Sequence, residues 1–158
     1  MVKVNSINSP GVVIQSLSAS TSALVTCTTV IPEDDTIPQQ TEGDEVLTLS
    51  ITPKSATNLL EIIFNTNYGR SSGSGAAALF QDSTANALAA GFAINYSPSS
   101  VSLSHTMTAG TTSSTTFKIR MGGSTGGITY YVNGSSGTTN RVYGGVGATE
   151  LIIKEYLV

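Results

Sequence analysis

Short apolar runs separated by polar turns recur along the whole chain, and inside most of them apolar and polar positions alternate. Over Val46–Ile51, the side chains of Leu47, Leu49 and Ile51 fall on one face. Over Leu59–Asn67 the same holds for Leu60, Ile62 and Phe64. Over Thr115–Met121, Phe117, Ile119 and Met121 point one way while Lys118 and Arg120 point the other. A period of two is that of a strand buried on one side. Further strands are predicted over Val12–Ser18, Ala23–Val30, Ala76–Asp82, Asn86–Ile94, Val101–Thr108, Ile128–Val132, Arg141–Tyr143 and Glu150–Leu157. The Ala-rich stretch 85–90 is read as strand, because Gly75 and Gly91 bracket it and no capped helix fits there.

Between these runs lie Gly, Ser, Asn and Pro, the residues of turns. In Thr52-Pro53-Lys54-Ser55, Pro53 fixes φ and cannot donate into a ladder. About ten strands, spaced roughly 8–15 residues apart with no helix between them, predict an all-β antiparallel sandwich rather than a parallel sheet. Long connections and a strand at the C-terminus suit a jelly-roll-like order. Leu47, Leu49, Ile51, Leu60, Ile62, Phe64, Leu103, Phe117, Ile119, Leu151 and Ile153 are the predicted core. Residues 1–11, with Asn5, Ser6, Asn8, Ser9, Pro10 and Gly11, read as an N-terminal arm; residues 12–158 form the sandwich domain.

Composition narrows the function. Ser and Thr together number 44 of 158 residues, and charged residues make up only 11%, against about 25% in an ordinary soluble domain. With a mean hydropathy of +0.13, two readings stay open: a surface covered by neighbouring copies, or a monomer coated in hydroxyls. The net charge is −3, and Lys3, Lys54, Arg70, Lys118, Arg120, Arg141 and Lys154 are scattered, so no nucleic-acid partner is expected. No apolar run reaches the ~18 residues of a membrane span, so no membrane partner is expected. Residues 1–10 lack the charged-then-apolar order of a secretory leader.

Catalytic raw material is scarce. There is no Trp, one His and one Cys. Cys27 sits in an apolar run and reads as a small buried hydrophobe. His105 lies at inward parity on its strand and reads as a hydrogen-bonded structural histidine. Glu33, Asp34, Asp35, Glu42, Asp44 and Glu45 cluster in a loop with two prolines. Clustered carboxylates are the material of a hard-cation site, but this spacing lacks the alternating acids and central Gly of an EF-hand. The loop is read either as solvated or as a contact on a neighbouring subunit through Glu33, Asp34, Asp35, Glu42 and Asp44. No catalytic, cofactor-binding or metal-ligating residue is assigned, and the chain is expected not to be an enzyme. Tyr68, Tyr96, Tyr130, Tyr131 and Tyr143 all neighbour Gly, Ser or Asn. They are read as outward residues, either packing at the rim of a sandwich or lining adaptable binding loops.

Four segments together carry a resemblance: IPEDDTIPQQTEGDEVLTLSITPKSATNLLEI (31–62), ALFQDSTANALAA (78–90), HTMTAGTTSSTTFKIRMGG (105–123) and RVYGGVGATELIIKEY (141–156). They resemble small β-rich virion proteins and tail-fibre-like tip domains of tailed bacteriophages. The resemblance implies a virion structural protein, and a short arm before a single knob suits a trimeric capsid decoration (cement) protein. On that reading the chain is made in the bacterial cytoplasm and sits on the outer capsid surface. It would bind the major capsid protein through arm residues Val2, Lys3, Val4, Asn5 and Ile7, with the acidic loop Glu33, Asp34, Asp35, Glu42 and Asp44 as a further contact on the capsid or on a neighbouring subunit, and stabilise neighbouring capsomers. The alternative is a tail-fibre tip that recognises the host surface. The expected partner in either case is the chain itself, as a homotrimer with closed symmetry.

Overall fold

The computed structural model describes residues 11–93 and 98–158. Of the predicted arm, only Gly11 falls among them; Val2, Lys3, Val4, Asn5 and Ile7 lie outside the described residues. Ten strands follow in chain order: β1 (Val13–Thr21), β2 (Val25–Cys27), β3 (Asp44–Ile51), β4 (Leu59–Arg70), β5 (Gly75–Gln81), β6 (Ala89–Phe92), β7 (Ser99–Thr108), β8 (Thr115–Gly123), β9 (Tyr130–Val132) and β10 (Thr149–Tyr156). A 3-10 turn at Tyr143–Gly145 precedes the last of them.

The strands form two antiparallel sheets. One has six strands: β10 and then β9 pair with successive stretches of one edge of β4, β7 pairs with its other edge, β1 lies beyond β10 and β2 beyond β9. The other has four strands in the order β3-β8-β5-β6. Among these ladders only β5–β6 joins strands adjacent in sequence. All the other pairings are made across long connections, as in a Greek-key jelly roll.

The core fills the space between the sheets. Ile51, Leu60, Ile62, Phe64, Leu103, Phe117, Ile119, Leu151 and Ile153 are buried there as predicted, and Leu47 and Leu49 pack half-buried against them. Burying such a side chain contributes about 1.5–3 kcal/mol. A register shift between Glu45 and Leu47 turns Val46 into the core as well.

Three local expectations are corrected. The strand predicted over Ala23–Val30 covers only Val25–Cys27, because the Thr28 and Thr29 N–H groups turn to the Asp44 carboxylate instead of a ladder. The strand predicted over Arg141–Tyr143 reduces to one Arg141–Gly134 bridge, since Tyr143 takes a φ of 54° and opens the 3-10 turn. Tyr68 and Tyr130, expected to face outward, are fully buried with ring centroids 5.2 Å apart and planes tilted by 42°. The Tyr130 hydroxyl donates to the Ala93 carbonyl, which satisfies the polar end of a buried ring.

Candidate functional site

The acidic loop folds back as a strap over the outer face of the four-stranded sheet. Ile31 is its apolar anchor and packs on Ala78 and Phe80, so β5 is buried on both faces. Hydrogen bonds fix the strap along its length: Ile31 N to Gly123 O at 2.9 Å, Gln40 N to Ala85 O at 2.8 Å, and Gly43 N to Val30 O at 3.0 Å. Arg120 reaches across from β8 and donates to the Glu42 and Gly43 carbonyls, each at 2.7 Å. Contact is close enough that a Cβ on Gly122 would stand 2.2 Å from the Thr29 carbonyl oxygen.

Four carboxylates of the loop each have partners of their own. Asp44 accepts from Thr28 N at 2.6 Å, Thr29 N at 2.9 Å and Thr29 Oγ1 at 2.7 Å. Desolvation pushes its carboxyl up, but these bonds and the nearby Arg120 outweigh that and hold it below the usual range. Asp34 is held low by the Thr36 hydroxyl and N–H. Glu42 accepts from Gln39 N at 2.9 Å, and Glu33 accepts from the Ser74 hydroxyl. Asp35 is exposed. Among the described residues no three of His, Cys, Asp and Glu gather around one point. Between the strap and β6 lies a hollow of about 170 Å³ walled by Ile31, Pro38 and Phe92, and its two carboxylates, Glu33 and Asp34, are the ones already engaged.

The scarce nucleophile and base are not brought together either. Cys27 is buried, and burial pushes its thiol up to about 12, with Asp44 adding to the shift and Arg120 opposing it. His105 is half-buried opposite Ile62 on the β4–β7 ladder. The expected hydrogen bond to its ring is absent among the described residues. Tyr131 is half-buried and Tyr143 is exposed; Tyr96 lies outside the described residues.

The outer face of the six-stranded sheet has a different character. Its side chains are the ones that alternate with the core positions, and they form rows across four strands. The central row reads Ser18, Ile152, Ile63, Ser104 from β1 through β10 and β4 to β7. The next row is Ser16, Lys154, Glu61, Thr106, in which Lys154 Nζ lies 3.5 Å from Glu61 Oε2 and the Tyr156 hydroxyl donates to the same oxygen at 2.7 Å. On the other side the row is Ser20, Glu150, Asn65, Ser102. The face thus carries an apolar centre on its inner strands and small hydroxyl residues on both flanks. Sequence reasoning passed over Ile63 and Ile152. Their signal is legible: the pairs Ile62-Ile63 and Ile152-Ile153 break an otherwise strict alternation.

Comparison with known proteins places this geometry. The family model described as the Pgp3 C-terminal domain matches residues 14–155. None of the curated proteins matches the chain. Among solved structures, Eiger TNF from S. frugiperda superposes with a TM-score of 0.51 at 13% identity, covering 90% of this chain and 93% of that one. The C-terminal domain of EclA, a sugar-binding protein, gives 0.42 at 19% identity over 72% and 75% of the two chains. Dimeric latent PorU from Porphyromonas gingivalis gives 0.41 at 9% identity over 94% and 14%. The first likeness shows the jelly roll; the other two are too remote to carry an argument.

The family match overturns the tailed-phage resemblance. With it fall the capsid decoration role, the tail-fibre alternative, the outer capsid location and the major capsid protein as partner. The four segments that carried the resemblance are strands and turns of the jelly roll, so what they reported was the fold.

Proposed function

Since this chain belongs to the family of the Pgp3 C-terminal domain and has the jelly roll also seen in a TNF, we propose that it works as a homotrimeric, non-catalytic recognition module. Its copies pack through the outer face of the six-stranded sheet. The observation that carries this reading is the Ser18–Ile152–Ile63–Ser104 row. An outward strand face in a monomeric sandwich alternates to polar side chains. Here the centre is aliphatic, the flanks are small enough for close approach, and the adjacent Lys154 and Glu61 neutralise each other. Those are the features of a face that another copy covers.

Three copies about one axis close the assembly and leave no face free to propagate it. The likeness to a TNF supports three rather than two. The trimer presents three sets of identical loops on one side, so weak individual contacts to a partner multiply. The buried thiol, an imidazole with no hydrogen bond among the described residues and carboxylates that do not converge there favour binding over chemistry.

The test is Ile152→Lys, with Ile63→Lys as its companion. Both side chains point away from the core, so the variants are expected to keep the β circular-dichroism spectrum and elute with the mass of one chain. A trimer that survives both substitutions, or a wild-type protein that is monomeric, contradicts the proposal.

A further inference from the structure

A second hollow, of about 510 Å³, opens between the end of β4, the start of β7 and the loop 133–143. Among the described residues, Asn67, Ser99, Ser100, Ser135 and Tyr143 bring polar side chains to it, the buried Tyr68 forms part of its wall, and none of those that line it is charged. The side-chain amide of Asn67 and the hydroxyls of these three serines and Tyr143 make no hydrogen bond among the described residues. The walls are built, not loose. Asn133, buried at a φ of 60°, donates from its amide to the Thr21 and Ala23 carbonyls at 2.9 Å each and accepts from Thr149 Oγ1 at 2.9 Å. The loop lies directly on β4, where a Cβ on Gly69 would stand 2.5 Å from the Ser135 carbonyl carbon.

Tyr143 is the telling residue. The residue is 73% exposed while its backbone holds a φ of 54°. A bulky aromatic residue rarely adopts that conformation, and strain of this kind is kept where the structure over-determines it and collects at binding sites. The Val142 N–H, bonded to the Asn133 carbonyl at 2.9 Å, and the Val146 N–H, bonded to the Tyr143 carbonyl at 3.2 Å, pin it in place.

From the juxtaposition of this exposed ring, on a pinned backbone, with an amide and four hydroxyls that have no hydrogen-bond partner among the described residues, in a hollow whose described lining carries no charge, we infer that the hollow binds a neutral saccharide. The apolar C–H face of a sugar ring packs on the tyrosine. Its hydroxyls, each donor and acceptor, pair with the asparagine amide and the serine hydroxyls. An anionic sugar meets no cation among the described residues that line the hollow. Asn67 and Ser100 form the next outward rung beyond Asn65 and Ser102 on the β4–β7 ladder, so the hollow opens at the edge of the face that carries Ile63, about 13 Å along the strand from it.

The test is a titration of the full chain with lactose, cellobiose, mannobiose and chitobiose at millimolar concentration, followed by amide NMR shifts, with sialyllactose as the charged control. The expected result is saturable shifts at Asn67, Ser99, Ser100, Ser135 and Tyr143 with at least one neutral disaccharide. Tyr143→Gly relieves the left-handed strain, so it is expected to unfold no earlier than the wild type while binding about tenfold more weakly or worse. No shift with any neutral sugar, shifts that map elsewhere, preference for the sialylated control, or unchanged binding by Tyr143→Gly each overturns the inference. Because Tyr143→Gly leaves Ile63 and Ile152 in place, its mass in solution reads the trimer separately.

Discussion

Ile63 and Ile152 stand directly opposite one another on the β4–β10 ladder, half-buried on the face that points away from the core. Their sequence neighbours Ile62 and Ile153 form the rung beside them and are fully buried inside. Two adjacent strands thus carry aliphatic side chains on both sides at the same level. One side is explained by the sandwich. The other is explained when a second copy covers it.

The strap over the four-stranded sheet depends on one carboxylate. Asp44→Ala removes the acceptor for two N–H groups and a hydroxyl and is expected to destabilise the fold by about 1–3 kcal/mol in urea unfolding at neutral pH. The folded carboxyl lies below its unfolded value, about 3.9, so its stabilising contribution is complete above that value and is lost as pH falls through the folded one. The gap between wild type and variant should therefore close in acid. A gap that is unchanged at low pH would show that the carboxylate charge plays no part.

The turn after β3 is tied to β10 through Glu155. This buried carboxylate accepts from Lys54 N at 2.7 Å, Ser55 N at 3.3 Å and Asn58 Nδ2 at 2.6 Å, all on Oε1. Glu155→Ala strands all three donors and is expected to cost about 3 kcal/mol or more. Glu155→Gln keeps an acceptor oxygen for them and should cost clearly less. Equal losses in denaturant melts of the two variants would mean that packing volume, not hydrogen bonding, is what Glu155 supplies.

Cys27 should be chemically silent. With its thiol pushed up to about 12 by burial, the thiolate that reacts with disulfide reagents is almost absent at neutral pH. The native protein is expected to leave Ellman's reagent unreacted over hours and to consume one equivalent once unfolded in guanidinium. Rapid native reaction would place the thiol outside the core.

The strands and the core were legible because period-two alternation reports which side chains are buried. Leu60, Ile62 and Phe64 show it on β4, and Phe117, Ile119 and Met121 on β8. Pairing was not legible, because ladders such as β1–β10 and β3–β8 join segments far apart in sequence. The acidic loop looked like a solvated or subunit-docking segment, since nothing local shows that Ile31 finds Ala78 and Phe80 or that Arg120 reaches its carbonyls. Tyr68 and Tyr130 were misplaced for a related reason. Their Gly and Ser neighbours suggested loops, whereas β4 and β9 carry both rings inward to meet each other. The outward isoleucines were visible as breaks in the alternation, but only a sheet with known register turns two such breaks into one row.

The central claim is that this row is a subunit interface, and the most direct measurement is the mass of the wild-type protein in solution. Light scattering on the eluting protein across a concentration series is predicted to give three times the 16.2 kDa chain mass, and that of a single chain for Ile152→Lys. A wild-type protein that stays at one chain mass throughout the series would contradict the account.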